Sequence, residues 1–281
     1  MKKKHLQKLI EPFIYNQLVN DEYGLSELSA SDLLTWNRLD LAFKLFYLDN
    51  QINNPNLAKE IYKEDIKSQT LGTFVEYGNE VEKKSFEHYL TKFDEVFNNI
   101  KTNGFEKNKT VVPLCKNGKI INGSHRIASA IYLNKKVSCV VTNQKSMIAD
   151  YKYFYDRNVS EEKLDTVVDK FIKYSNDNIY IAFLWPSGIG EKMRVESFFS
   201  NIVYKKEIKL SQNGAKNLLT ELYKHMDWSG SLENNYMEIN RKVFECFPTE
   251  NPFTVLVFQS DSFERVIEVK KQVREVYNIG F

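Results

Sequence analysis

Apolar residues recur at helical spacing through most of the first hundred residues of the chain. They fall three or four positions apart over 86–100, and they line more than one face of 33–48, which is typical of a helix buried inside a domain. A more polar helix is expected over 57–69. The segment 71–80 has two glycines and indicates a loop or a short strand. Gly104 is expected to end the helix whose apolar residues lie over 86–100.

The periodicity changes at residue 110. Two short apolar runs, TVVPLC and KIIN, flank the turn sequence KNG, and they predict a β-hairpin over 110–121 with Asn117-Gly118 as a type I′ turn. The next segment, SHRIASAIYLN, has helical composition, and KKVSCVVT predicts a third strand at 136–142. A hairpin, a helix and a strand are thus expected within one short segment.

The second half of the chain alternates helical and extended patterns. Residues 145–178 predict helices, one of them capped by Ser160. Three strands are then predicted at 179–186, 202–211 and 254–260, and four helices around 190–200, 213–227, 234–246 and 263–278. The fold class expected is α/β in the broad sense (α+β), with a first domain over 1–150 and a second α/β domain over 151–281.

Composition and charge narrow the function classes. The 281 residues carry 39 Lys and Arg against 37 Asp and Glu, a net charge of +2, so no broad positive field favours nucleic acid or an anionic membrane. No apolar run approaches the roughly 18 residues of a membrane helix, and the N-terminus lacks the apolar core and cleavage site of a signal peptide. Three cysteines without CxxC spacing predict buried, reduced thiols and a cytoplasmic protein.

The residues that follow the predicted hairpin are the most informative about chemistry: Asn122, Gly123, Ser124, His125 and Arg126. They stand at the start of a predicted helix, where unpaired backbone N–H groups and the helix dipole favour an anion. A glycine lets a ligand approach the backbone, and a hydroxyl, an imidazole and a guanidinium can each donate to phosphate oxygens. The alternative is an ordinary helix start, in which Ser124 is the cap, His125 lies on the surface and Arg126 pairs with a carboxylate.

The stretch VVPLCKNGKIINGSHRIASAIYLNKKVSCVV resembles the core of the ParB/sulfiredoxin superfamily, in which a hairpin leads through a Gly-x-x-Arg turn into a helix and a closing strand. The resemblance covers about residues 72–142 and implies a ParB/sulfiredoxin-like domain with a helical N-terminal extension. It also implies that Gly123, Ser124, His125 and Arg126, with Asn122 beside them, contact the phosphates of a nucleotide. The turn is closest in form to the Gly-Cys-His-Arg turn of sulfiredoxins, with Ser124 in place of the reactive cysteine.

This difference argues against sulfur-repair chemistry, which needs a thiolate. The resemblance to the free serine kinases of the superfamily, which carry a Gly-His-His-Arg turn, implies an ATP-dependent or CTP-dependent kinase or phosphotransferase that uses Mg²⁺ and a small hydroxyl-bearing acceptor. A separate hypothesis is surface-polysaccharide biosynthesis, because a small-acceptor kinase joined to a further α/β domain suits the building of phosphorylated intermediates. The second domain would then bind the acceptor or carry a transferase-like activity. The alternative is a non-enzymatic ParB-like nucleotide-binding protein or DNA-associated regulator, which the balanced charge disfavours.

The catalytic carboxylate is open between Glu76 and Glu80, which lie before the helix at 86–100, and His125 is a further catalytic candidate. Glu80, together with Glu82, is equally well explained as an acidic residue that opens a helix. Asp40 interrupts an apolar helix together with two cations, which favours an internal salt bridge over catalysis. Residues 185–190, between a predicted strand and helix, form either a ligand loop at a strand end or an ordinary connection.

Overall fold

The structure is a computed structural model that describes residues 1–76, 83–176, 178–231, 233 and 236–277. The chain divides into two units, Met1–Asp177 and Asn178–Phe281. The division falls after residue 177 instead of at the predicted position 150. The helical residues 151–174 belong to the first unit because their side chains bond to it, as Lys170 does to Asp49.

The described part of the first unit contains eight α-helices, three strands and one 3-10 helix. The helices are α1 (Lys3–Leu6), α2 (Pro12–Tyr15), α3 (Asp40–Asn50), α4 (Pro55–Gln69), α5 (Phe86–Asn103), α6 (Ser124–Tyr132), α7 (Tyr151–Tyr155) and α8 (Glu161–Tyr174). The strands are β1 (Leu25–Ser29), β2 (Val112–Leu114) and β3 (Lys136–Val141), and a 3-10 helix covers Ala30–Leu33.

Local sequence signals place most of these helices where the pattern predicts them. Helix α5 starts at the N-cap Ser85, whose hydroxyl accepts from the His88 amide, and it ends at Gly104, which has φ +74°. Ser160 caps α8 in the same way. The helix predicted over 33–48 begins only at Asp40, because the backbone just before it pairs with Ala149 instead of continuing a helix.

The sheet of the first unit has the order β1-β3-β2, in which β1 runs antiparallel and β2 parallel to β3. Strand β1 was not predicted, because three of its five residues are exposed and the sequence LSELS has little apolar alternation. The hairpin is present only as a single bridge between Leu114 and Ile120. Its turn is not type I′: Gly118 has φ +77° but Asn117 has no positive φ, so the loop is a type I turn closed by a left-handed glycine.

Four charged side chains are buried between α3 and α4. Arg38 donates to both carboxylate oxygens of Asp40 at 2.7 and 2.8 Å, and the Lys44 ammonium lies 2.5 Å from Asp65 and 3.5 Å from Asp40. The salt bridge predicted for Asp40 is therefore confirmed, and Asp65 completes it as a second carboxylate. Burial raises the pKa of both carboxyl groups, but for Asp40 the neighbouring Arg38 and Lys44 outweigh it and lower the pKa to about 2, whereas the pKa of Asp65 is raised to about 6.

In the second unit a three-stranded sheet lies between two pairs of helices. Its strands are β4 (Ile179–Leu184), β5 (Ile202–Ile208) and β6 (Phe253–Gln259), and its helices are α9 (Lys192–Glu196), α10 (Gln212–Tyr223), α11 (Met237–Cys246) and α12 (Phe263–Tyr277). One apolar cluster joins α10 and α11 to the sheet, and another joins α9 and α12 to it. The order β4-β6-β5 is antiparallel throughout, so both units are α+β and the second is not a parallel α/β domain.

The connection at 185–190 serves packing. Residues Pro186–Glu191 form a 3-10 helix, and a Cβ at Gly188 would come within 1.7 Å of the Tyr277 ring. Gly188 is therefore needed for the contact with α12. Because the sheet is antiparallel, its strands have no common carboxyl edge of the kind that forms ligand sites in parallel sheets.

The described helices include none that is both long enough and apolar enough to cross a membrane.

The ion pairs of Asp49 give the first unit a testable response to acid. Lys170 and Lys173 donate to Asp49 at 2.6 and 2.7 Å, and Tyr174 donates to it at 3.1 Å. Partial burial raises the pKa of Asp49, but these hydrogen bonds outweigh it and lower the pKa to about 2. A carboxyl group whose pKa falls on folding stabilises the folded state above its unfolded pKa, and this stabilisation is lost as the pH falls toward the folded value.

We expect Asp49→Asn to lower the free energy of unfolding at pH 7 by about 1 kcal/mol, because the ion pairs are partly screened by solvent. The difference from the wild type should shrink as the pH falls from 4 to 2. Urea unfolding at several pH values measures it, with Asp156→Asn on an exposed position as the matched control. A difference that stays constant down to pH 2 would contradict the role of the Asp49 carboxylate.

Candidate functional site

The turn before α6 is built on a left-handed glycine. Gly123 has φ +97° and is the N-cap of α6, and its carbonyl accepts from the Ile127 amide at 3.0 Å. The Asn122 side-chain oxygen accepts from the Gly123 amide at 2.6 Å, which fixes the entry to the turn. Ser124 is thus the first residue of the helix and not its cap. The first backbone N–H groups of this nine-residue helix have no partner within it, as at any helix start.

The Arg126 guanidinium folds back over this turn. An ideal Cβ on Gly123 would lie 2.8 Å from Nη2 of Arg126, so the glycine makes room for the arginine. Arg126 donates to Oε1 of Glu11 at 2.7 Å and to the Thr110 hydroxyl. The other oxygen of Glu11 is buried and has no hydrogen-bond partner in the described part of the chain. Arg126 therefore pairs with a carboxylate, as one of the two sequence hypotheses expected, and that carboxylate lies 115 residues away.

His125 lies against the aromatic cluster of α4 and α5. Its Nε2 shares a 2.7 Å hydrogen bond with the Tyr62 hydroxyl, and its ring centroid is 4.8 Å from that of Phe93. Burial, together with the nearby charge of Lys44, lowers the pKa of His125 well below its usual value. The imidazole is therefore neutral at pH 7, and its hydrogen bond is made to Tyr62 within the protein.

An open pocket of about 660 Å³ lies beside the turn. Its polar lining consists of Gln17, Glu76, Asn122, Gln144, Lys145 and Ser146. Its apolar lining consists of Phe13, Ile121 and Met147. The volume is within the range of about 300–1,000 Å³ that small-molecule sites occupy.

The pocket brings two of the predicted site residues together, Glu76 and Asn122. Glu76 accepts from the Lys83 ammonium at 2.5 Å, and its backbone amide donates to the Lys83 carbonyl at 2.9 Å. These bonds hold the carboxylate at the pocket wall. The other predicted carboxylate, Glu80, lies outside the described residues.

The segment before α3 supports both walls of the pocket. Arg38 donates to the carbonyl of Ile120 at 3.3 Å, just before the wall residues Ile121 and Asn122. Asn37 donates to the carbonyl of the wall residue Met147 at 3.2 Å. The buried charges of α3 and α4 are therefore connected to the pocket through Arg38.

No group of three or more His, Cys, Asp or Glu side chains among the described residues could hold a metal ion. Mg²⁺ that enters with a nucleotide commonly needs only one or two protein carboxylates. The described lining of the pocket contains one, Glu76, and the Lys83 ammonium already lies 2.5 Å from it.

The packing of Arg126 on Gly123 predicts a difference between two glycine substitutions. Gly118→Ala meets no neighbouring atom and should cost only the left-handed backbone strain, about 1–2 kcal/mol of unfolding free energy. Gly123→Ala should cost about 1.5–3 kcal/mol more, because Arg126 must leave its charge-assisted hydrogen bonds. In an Arg126→Ala background this excess should vanish, as measured by urea unfolding. An excess that persists without the arginine would show that Arg126 is not its cause.

Comparison with protein-family models, with curated proteins and with solved structures gave no match to this chain.

Proposed function

We propose that the first unit is a nucleotide-dependent kinase or phosphotransferase that acts on a small hydroxyl-bearing acceptor, with ATP or CTP as the phosphoryl donor. The observation that carries the proposal is the position of the Gly123 turn: it opens the N-terminus of α6 next to a pocket that contains the carboxylate Glu76. The resemblance of residues 72–142 to the ParB/sulfiredoxin superfamily supports the same chemistry.

The turn supplies the groups that phosphates require. The N-terminal amides of α6 and the helix dipole favour an anion at this place. The Ser124 hydroxyl makes no hydrogen bond within the described part of the chain, so it is available as a donor. Arg126 has five N–H donors, of which Glu11 and Thr110 take two, and Glu11 competes with a phosphate for its charge.

The acceptor would occupy the pocket, with its hydroxyl directed at the terminal phosphate. The hydroxyl oxygen forms a bond to that phosphorus, the bond from the phosphorus to the nucleoside diphosphate breaks, and Glu76 takes the hydroxyl proton. Mg²⁺ bound with the nucleotide would neutralise the charge of the phosphate oxygens. The Lys83 ion pair orients Glu76 within the pocket wall.

Removal of Arg126 should weaken nucleotide binding, whereas removal of the charge of Glu11 should strengthen it. Arg126→Ala should abolish the rise in melting temperature that ATP or CTP with Mg²⁺ gives the wild type. Glu11→Gln should tighten binding about tenfold, equivalent to ~1.4 kcal/mol, because the arginine no longer has a competing carboxylate. Glu22→Gln, a change of the same charge elsewhere in the N-terminal segment, is the control and should leave the affinity unchanged.

Turnover separates catalysis from binding. With a panel of serine, polyols and sugars, Glu76→Gln should keep the nucleotide dissociation constant and lose about a hundredfold or more in the rate of nucleoside diphosphate release. Release that is independent of every acceptor, or a nucleotide affinity that neither Arg126 nor Glu11 affects, would contradict the proposed function.

A further inference from the structure

We infer that the pocket beside the Gly123 turn binds an uncharged, polyhydroxylated molecule, a sugar or a sugar alcohol. Its use as the phosphoryl acceptor rests on the proposed function, whereas its binding does not. Three features of the lining support the inference. Its carboxamide side chains are oriented by hydrogen bonds to the backbone, its carboxylate is paired with a lysine, and one aromatic ring is exposed.

Each carboxamide group of the pocket uses one of its two polar atoms in a hydrogen bond to the backbone. Gln144 donates from Nε2 to the Ile14 carbonyl at 2.8 Å, and Gln17 donates from Nε2 to the Phe13 carbonyl at 3.1 Å. Asn122 uses its oxygen to accept from the Gly123 amide. Two amide oxygens and one amide NH₂ group are thus oriented by the backbone and keep hydrogen-bonding capacity. Hydroxyl groups, which both donate and accept, match such a mixed set.

The charges of the pocket disfavour an amino acid. An α-ammonium group needs an anionic partner, and the carboxylate in the described lining, Glu76, is already paired with Lys83 at 2.5 Å. Lys145 is exposed, so its ammonium remains hydrated and would contribute little to binding an anion. A neutral ligand avoids the desolvation of an unpaired charge altogether.

The third feature is Phe13, whose side chain lies at the pocket with 44% of its surface exposed. A sugar ring carries C–H groups on its faces and hydroxyl groups around its edge. The Phe13 ring offers an apolar surface for such a face, while the amides bond the edge.

Ligand-observed saturation-transfer NMR on the full chain without nucleotide tests the inference. The probes are ribitol, glucose, galactose and glycerol, with L-serine as the zwitterionic comparison, each at millimolar concentration. At least one sugar or polyol should bind more tightly than serine. Phe13→Ala and Gln17→Ala should weaken that binding at least fivefold, while Phe244→Ala, which removes an exposed ring of the second unit, should not change it. Melting temperatures verify that each variant is folded.

The possible results of this experiment distinguish the sugar pocket from the proposed kinase activity. Binding of serine in preference to every polyol, binding of none of the probes, or binding that Phe13→Ala and Gln17→Ala leave unchanged would overturn the inference. Sugar binding without any nucleotide turnover would retain the pocket assignment and remove the kinase. Phosphorylation of serine alone would retain the kinase and remove the sugar pocket.

Discussion

The ion network buried between α3 and α4 constrains the whole region around the candidate site. Arg38, Asp40, Lys44 and Asp65 are withdrawn from water as two positive and two negative charges, so removal of any one leaves an unpaired buried charge at a cost of about 3–5 kcal/mol. Arg38 also binds the Ile120 carbonyl. The backbone just before the pocket wall and the turn is therefore hydrogen-bonded to the buried ion network.

The start of α6 is held in place although its first backbone N–H groups have no partner within the helix. The left-handed Gly123 and the neutral His125, bonded to Tyr62, fix the beginning of α6 from two sides. Arg126 is held above the turn by Glu11 and Thr110 and does not extend into solvent. A phosphate would meet a preorganised set of donors and would have to displace a single carboxylate.

The sequence predicts what is decided locally and misses what is decided by tertiary contacts. The periodicity and the caps place α5, α6 and β3 within a few residues, and the cations beside Asp40 indicate its salt bridge. Asp65 and Glu11 carry no local signal, because their partners lie 21 and 115 residues away. Strand β1 exists because β3 pairs with it, although its own sequence has almost no β pattern.

The most direct measurement is the backbone amide spectrum of protein labelled with ¹⁵N only at histidine. The chain has four histidines, so the spectrum holds one signal from the turn, that of His125, and three internal references, His5, His88 and His225. With ATP or CTP and Mg²⁺ the His125 amide should shift while the other three stay in place, because the proposed phosphate site lies at the start of α6, where that amide is. A His125 signal that does not move at saturating nucleotide, or a shift confined to His225 in the second unit, would contradict a phosphate site at the Gly123 turn.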